Sequence, residues 1–160
     1  MTVLEATART RTVKSEETIS MRANIILDRD SVCMADDVYS HEKIIEIEEN
    51  ITLRDFIIYF LKLPVEKTYT ATGYIDKMVE VFPKIAGGCA TWILSIRKEY
   101  KVIKSLAVVA QQWKEPKLLV DNLQIGELIT KYQSNEFHMK YLCQVDPEET
   151  FIRMIGTNIK

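Results

Sequence analysis

The chain has 160 residues, of which 47% are hydrophobic and 28% charged, and its formal net charge is −2. This length and composition predict one globular domain, and the small net charge excludes a general attraction to nucleic acid or to anionic membranes. No segment has the length and hydrophobicity of a signal peptide or a transmembrane helix. The three cysteines are too few for a disulfide framework. We therefore expect a cytoplasmic protein in which cysteines are small buried hydrophobic residues.

The first 20 residues differ in composition from the rest of the chain. They hold five threonines, two serines and charges of both signs, which leaves little apolar surface to bury. We expect residues 1–20 to form a flexible polar arm and residues 21–160 to form a single domain.

Two strands and a helix are predicted in the next 45 residues. Short apolar runs at 23–27 and 43–47 indicate strands. Apolar side chains then recur with helical spacing over residues 53–61, which predicts an amphipathic helix. Thr52 is expected to cap the start of this helix, and Pro64 to end it.

The second half of the chain continues this mixture of elements. Helical spacing predicts helices, and alternation or short apolar runs predict strands. The helices are expected at 74–81 and 123–132, and the strands at 90–96, 102–112, 137–144 and 151–155. The strands at 90–96 and 102–112 should form a hairpin. The order of elements predicts the α+β class, with a mainly antiparallel sheet and about three helices packed on it.

Residues 50–57 and 122–129 match in polarity at nearly every position. Each segment has a polar residue at a helix start followed by helical apolar spacing. Duplication would produce this similarity, but two capped amphipathic helices would look alike in any case.

Acidic residues are concentrated between Asp28 and Glu49. This segment has eight acidic and two basic residues, so its formal charge is −6 and that of the remainder of the chain is +4. Acidic turns are usually solvated surface, but complementary charge also accelerates association with a basic protein. We predict a partner-binding surface on this segment, formed by Asp28, Asp30, Asp36, Asp37, Glu42 and Glu46.

An alternative is catalytic. The apolar strand followed by Asp28-x-Asp30-x-Val32 resembles the first motif of the haloacid-dehalogenase-like phosphatases. The resemblance implies Asp28 as nucleophile, Asp30 as general acid/base, and a magnesium ion. It also implies a parallel, doubly wound sheet and a late paired-acid motif on a later strand, which is not evident here.

Other site chemistry has little support in the sequence. The acidic spacing does not match a calcium-binding loop, and the cysteines and histidines lack zinc-ligand spacing. His41 and His138 are interpreted as ordinary, partly exposed side chains, since no glycine-rich turn surrounds any cysteine with which they could form a nucleophile. We therefore predict no catalytic residue, no metal and no cofactor.

A family resemblance comes from the layout of the chain. The apolar runs at 90–94 and 106–113, together with the helix capped at Thr52, are similar to the layout of small immunity proteins from bacterial polymorphic-toxin systems, including contact-dependent inhibition. The similarity spans residues 21–130. It implies a non-enzymatic cytoplasmic protein that binds a toxin domain and blocks its active site. An acidic surface would suit a basic, nuclease-like toxin.

A further alternative is a phage or scaffold subunit that uses residues 1–20 for assembly. The sequence leaves the oligomeric state open.

Overall fold

A six-stranded sheet organises the chain in the computed structural model, which describes residues 21–33, 40–58 and 88–157. Its strands are β1 (Arg22–Arg29), β2 (Lys43–Glu48), β3 (Thr91–Lys98), β4 (Lys101–Ala110), β5 (Lys117–Leu118) and β6 (Glu136–Tyr141). The order across the sheet is β2-β1-β6-β3-β4-β5. Only the β1–β6 pair is parallel among these strands. The α+β class is therefore confirmed, with a sheet that is mixed, though mostly antiparallel.

Three helices accompany the sheet in the part of the chain that the structure describes: α1 (Leu53–Phe56), α2 (Ile125–Tyr132) and α3 (Pro147–Thr157). The predicted start of α1 is confirmed, because the Thr52 hydroxyl accepts a hydrogen bond from the Asp55 backbone N–H at 3.2 Å. Residues 59–61 of that predicted helix, the predicted helix at 74–81 and the predicted arm at 1–20 lie outside the described residues.

The hydrophobic core lies on one face of the sheet. Alternation along each strand directs every second side chain to this face, where α1 and α2 cover it. The fully buried side chains here include Ile25, Leu27, Phe56, Trp92, Leu94, Ile96, Leu128, Phe137 and Met139. The rings of Phe56 and Phe137 lie 5.7 Å apart between α1 and β6. Each such side chain contributes about 1.5–3 kcal/mol by burial.

The predicted hairpin is confirmed by the pairing of β3 with β4. Glu99 and Tyr100 form its two-residue loop, with φ values of 51° and 64°. A loop of this length favours left-handed backbone at both positions, because that twist matches the twist of the paired strands. The turn therefore forms without the glycine or asparagine that usually marks it.

The two similar segments at 50–57 and 122–129 meet in the structure. The Leu53 N–H donates to the Leu123 carbonyl, and the Ile125 N–H donates to the Ile51 carbonyl, each at 2.9 Å. Leu53 and Ile125 occupy the same position in the two segments, so the contact is reciprocal. The β1–β2 and β3–β4 pairs also lie on opposite sides of β6 and run in opposite directions. This is the arrangement that a duplicated strand–strand–helix unit would give.

The prediction of a last strand at 151–155 is wrong, because this segment lies within α3. The Asp146 side chain caps the helix by accepting a hydrogen bond from the Glu149 N–H at 2.9 Å. Pro147 occupies the first turn, where its fixed φ suits a helix and its missing N–H costs nothing. Glu148 and Glu149 then place negative charge at the helix start, where the backbone N–H groups favour it.

The expectation of buried cysteines is also wrong, since Cys33, Cys89 and Cys143 are all exposed. Cys33 follows β1, Cys89 precedes β3 and Cys143 follows β6, so each lies beyond the buried part of its strand. Cys143 also has a positive φ of 57°, which is typical of a turn. Within residues 21–33, 40–58 and 88–157, the helices are all too short or too polar to cross a membrane.

Candidate functional site

Charged side chains from three adjacent strands meet on the face of the sheet opposite the core. Ile25 and Leu27 of β1 point into the core, so alternation turns Asp28 to the opposite face. Asp28 is the register partner of His138 in the parallel β1–β6 pair. Arg97 of β3 is brought alongside because β6 also pairs with β3. The fold thus places an acid, an imidazole and a guanidinium on neighbouring strands.

Asp28 is the centre of this group. One of its carboxylate oxygens, Oδ2, lies 3.0 Å from Arg97 Nη2 and 3.2 Å from His138 Nδ1. The side chains are exposed by only 23% for Asp28, 9% for Arg97 and 12% for His138. Water therefore screens this ion pair less than a pair on the open surface, and removing either partner would leave a poorly solvated charge.

Asp30 binds the other side of the same histidine. Its Oδ1 lies 2.8 Å from His138 Nε2, and its Oδ2 accepts a hydrogen bond from the Tyr141 N–H at 3.0 Å. A neutral imidazole donates from one nitrogen only. His138 therefore lies between the two aspartates, and which of its ring nitrogens donates depends on its tautomer. We call Asp28, Asp30, Arg97 and His138 the Asp–His–Arg network.

The network also holds the chain after β1 against β6. The Asp30 N–H donates to the Met139 carbonyl at 3.0 Å, which continues the strand pairing beyond Arg29. Nearby, Ser31 Oγ lies 3.1 Å from His41 Nε2. These contacts fix the backbone on both sides of residues 34–39, which lie outside the described ranges and include Asp36 and Asp37.

Arg97 is held by more than its ion pair. Its guanidinium lies 5.8 Å from the centroid of the Tyr100 ring, and its carbonyl accepts a hydrogen bond from the Ser134 hydroxyl. Its Nε has no hydrogen-bond partner in the described part of the chain. The side chain is therefore anchored at Nη2 and at the aromatic ring, and Asp28 is its acidic partner.

Tyr141 joins the network to the core. Its ring lies 4.6 Å from the Trp92 ring, measured between centroids. Burial raises the pKa of the Tyr141 hydroxyl, and a negative charge on the nearby Cys143 thiol raises this pKa further. The phenol is therefore held neutral to a higher pH than a tyrosine in water.

This geometry differs from the expected phosphatase site. The motif resemblance implies a parallel sheet, whereas β1 is parallel only to β6 among the described strands. The Asp28 carboxylate is also directed to Arg97 and His138, so its charge is balanced by side chains of the protein. No group of three or more acidic, histidine or cysteine side chains in the described residues is arranged to hold a metal ion.

Six acidic residues were predicted to bind a partner, and the four that the structure describes form two groups. Asp28 and Asp30 turn inward to the network, whereas Glu42 and Glu46 are exposed at β2. Glu48 is exposed on the same strand, and so is Ile44, at 73%. Ile44, Glu46 and Glu48 alternate along β2 on the face opposite the core, and Glu42 comes just before the strand. We call these four residues the β2 acidic row.

Among the described residues, one ion pair involves the β2 acidic row. Arg22 Nη1 lies 3.3 Å from Glu46 Oε2, and both side chains are more than half exposed. Such a pair contributes little, because water and salt screen it. The row therefore keeps a negative surface charge.

Sequence reasoning identified the acids but missed Arg97 and His138 as their partners. Asp28 is separated from Arg97 by 69 positions and from His138 by 110. No local spacing signals contacts over such distances, because strand pairing creates them. Only the alternation in β6, which puts His138 on the face opposite Phe137, gave a partial signal.

Comparison of the chain with protein-family models, with curated proteins and with solved structures gave no match. The similarity to immunity proteins therefore stays a prediction from the layout of the chain.

Proposed function

We propose that this chain is a non-catalytic protein-binding module, of the immunity or antitoxin kind, that binds a basic, nuclease-like toxin domain in the bacterial cytoplasm. The observation that carries the proposal is the β2 acidic row, in which the exposed Ile44 lies between Glu42 and Glu46, and Glu48 follows two positions further along the strand. An apolar centre within a charged rim is the usual composition of a protein interface.

The charge distribution favours this row over the rest of the acidic segment. Asp28 forms an ion pair with Arg97, and Asp30 contacts His138, so both carboxylates already have partners within the network. The glutamates of β2 are exposed and lie close together on one strand. Such a surface accelerates association with a basic partner, and the acceleration falls as salt is added.

The first experiment uses the purified chain and the product of the gene adjacent to its own, which the proposal expects to be a toxin. Inhibition of the toxin and the association rate are measured at low and at physiological salt. The double variant Glu42→Lys/Glu48→Lys reverses two charges of the row and leaves the Arg22–Glu46 pair in place. We expect its association rate to fall by about tenfold or more at low salt.

The matched control is Glu99→Lys/Glu149→Lys. It makes the same change of charge at two exposed positions elsewhere, the β3–β4 turn and α3. We expect this control to keep most of the association rate. Equal loss in both double variants would show that net charge alone matters and would contradict the proposed surface. A neighbouring gene product that is not inhibited would contradict the proposed function.

Catalysis is tested separately. The purified chain is incubated with p-nitrophenyl phosphate and magnesium, and released p-nitrophenol is measured. We expect no turnover above that of a buffer control. Turnover that disappears in Asp28→Asn would instead favour the phosphatase alternative.

The assembly alternative is tested by removing residues 1–20 and measuring the mass of the protein in solution. We expect the oligomeric state to be unchanged. A change of oligomeric state would favour the assembly alternative.

A further inference from the structure

We propose that the outer edge of β2 binds its partner by strand addition, as the seventh strand of the sheet, and that the added strand is an extended basic segment. This inference rests on the proposed function, because it names how the β2 acidic row recognises the basic protein. It makes backbone hydrogen bonds, as well as charge, part of the recognition.

The direction in which the backbone N–H and C=O groups of β2 point can be derived from the contacts of β1. The Ile26 N–H donates to the Asn135 carbonyl at 2.9 Å, and the Asn24 carbonyl accepts from Asn135 Nδ2 at 2.9 Å. Even-numbered residues of β1 therefore direct their backbone groups toward β6. Their register partners in β2 are Ile44 and Glu46.

In an antiparallel pair, opposite residues either bond each other or both face away. Ile44 and Glu46 consequently direct their N–H and C=O groups to the outside of the sheet, and Glu48 follows by alternation. Among the described strands β2 has only β1 as a neighbour. The residues that form the β2 acidic row are thus the residues whose backbone groups are available to another strand.

The opposite edge of the sheet is less suited to strand addition. In the described residues β5 pairs with β4 at Ala107 and Val108, and the Leu119 N–H donates to the Leu106 carbonyl, so the start of β4 is also an edge. Its pairing with β3 shifts twice, between Leu94 and Ser95 and between Ile96 and Arg97. Each shift leaves an extra residue in β4, and such bulges twist an edge so that a new strand pairs poorly. The β1–β2 register has no such break.

The side chains of β2 define the strand that fits. Residues directly opposite each other on one face of a sheet are close neighbours, and opposite charges stabilise the pair while like charges oppose it. A strand with lysine on this face pairs opposite charge with Glu46 and Glu48, and the aliphatic stem of a lysine opposite Ile44 covers its apolar side chain. A second copy of this chain is a poor partner for this edge. If two β2 strands paired antiparallel with their acidic faces on the same side, each glutamate would lie opposite another glutamate or opposite Ile44.

The direct test uses the full chain labelled with ¹⁵N and a synthetic probe peptide in which lysine alternates with valine over seven residues. Amide exchange is measured by NMR with and without peptide. At a free peptide concentration of about ten times Kd, we expect exchange of the Ile44 and Glu46 amides to slow by roughly tenfold. The Ile45 and Ile47 amides already face β1 and should change much less.

The control peptide has the same sequence but carries a backbone N-methyl group on its central lysine, which removes one N–H that would bond β2 and leaves the charge unchanged. We expect it to bind more weakly and to protect neither amide. If both peptides bind equally, or if neither binds at low salt, or if exchange at Ile44 and Glu46 stays unchanged during binding, strand addition is wrong.

Two variants at one position separate backbone from side chain. Ile44→Pro removes an outward N–H without changing charge, and edge strands tolerate proline where the N–H faces away from the sheet. Ile44→Thr removes apolar surface but keeps the N–H. We expect Ile44→Pro to bind the lysine–valine peptide about 2- to 10-fold more weakly than Ile44→Thr, which corresponds to one lost hydrogen bond. NMR spectra of both variants establish that the sheet is intact.

The outcomes distinguish this inference from the proposed function. If Glu42→Lys/Glu48→Lys abolishes binding while Ile44→Pro and Ile44→Thr bind equally, the acidic surface stands and strand addition is wrong. If charge reversal changes neither peptide nor toxin binding, the proposed function loses its surface.

Discussion

Replacement of Arg97 by methionine tests whether the Asp–His–Arg network stabilises the fold. Methionine keeps much of the length of the side chain but removes the charge that faces Asp28 Oδ2 at 3.0 Å. Gross attraction in such a pair is on the order of 4 kcal/mol with the screening typical near a protein surface. Part of it is offset by the free energy that burial of both charges costs.

The loss in the variant is larger than the net contribution of the pair, because Asp28 keeps its charge. Removing one partner of a fully buried pair costs about 3–5 kcal/mol. Asp28 is 23% exposed and keeps its contact with His138 Nδ1, so we expect a smaller loss of about 2–3 kcal/mol in the free energy of unfolding. Urea unfolding followed by circular dichroism measures this loss.

Arg22→Met is the matched control. It removes the same kind of side chain from an ion pair with Glu46 whose members are 61% and 58% exposed. We expect a loss below about 1 kcal/mol, and less at high salt. A double variant, Arg97→Met/Asp28→Asn, should be more stable than the sum of the two single losses predicts. Similar losses in Arg97→Met and Arg22→Met, or strict additivity with Asp28→Asn, would refute the reasoning.

Two further predictions concern the end of the chain. Asp146→Ala should lower the free energy of unfolding by about 1 kcal/mol, because it removes the cap that binds the Glu149 N–H; urea unfolding measures it, with Glu149→Gln as a control that keeps the cap. Tyr141→Phe should reduce the loss of stability at alkaline pH. The pKa of Tyr141 is raised above its ordinary value of 10.0, so the folded state favours the neutral phenol. That contribution is complete below pH 10.0 and is lost as the pH rises through the folded-state pKa, so the urea midpoints of the two proteins should diverge only there.

The local elements were largely predictable because their signals lie within a few residues. Thr52 and the helical spacing after it predicted the start of α1, and alternation predicted β6. The error at α3 was also local. Asp146, Pro147 and two glutamates form a helix start, but the apolar residues after them were interpreted as a strand.

One difference between acidic residues could not be predicted from the sequence. Asp28 and Glu46 are both acids in one charged segment, and their sequence context does not show that one is balanced and the other exposed. The difference arises because β6 lies between β1 and β3, which brings His138 and Arg97 to Asp28.

The sequence by itself determined the α+β class, the positions of most strands and the concentration of acidic charge, because propensity, periodicity and composition act over short distances. The tertiary structure decided which acids have basic partners and which strands lie at the edges of the sheet that the structure describes. Those properties depend on the order of strands in the sheet, and that order is set by contacts between residues far apart in the chain.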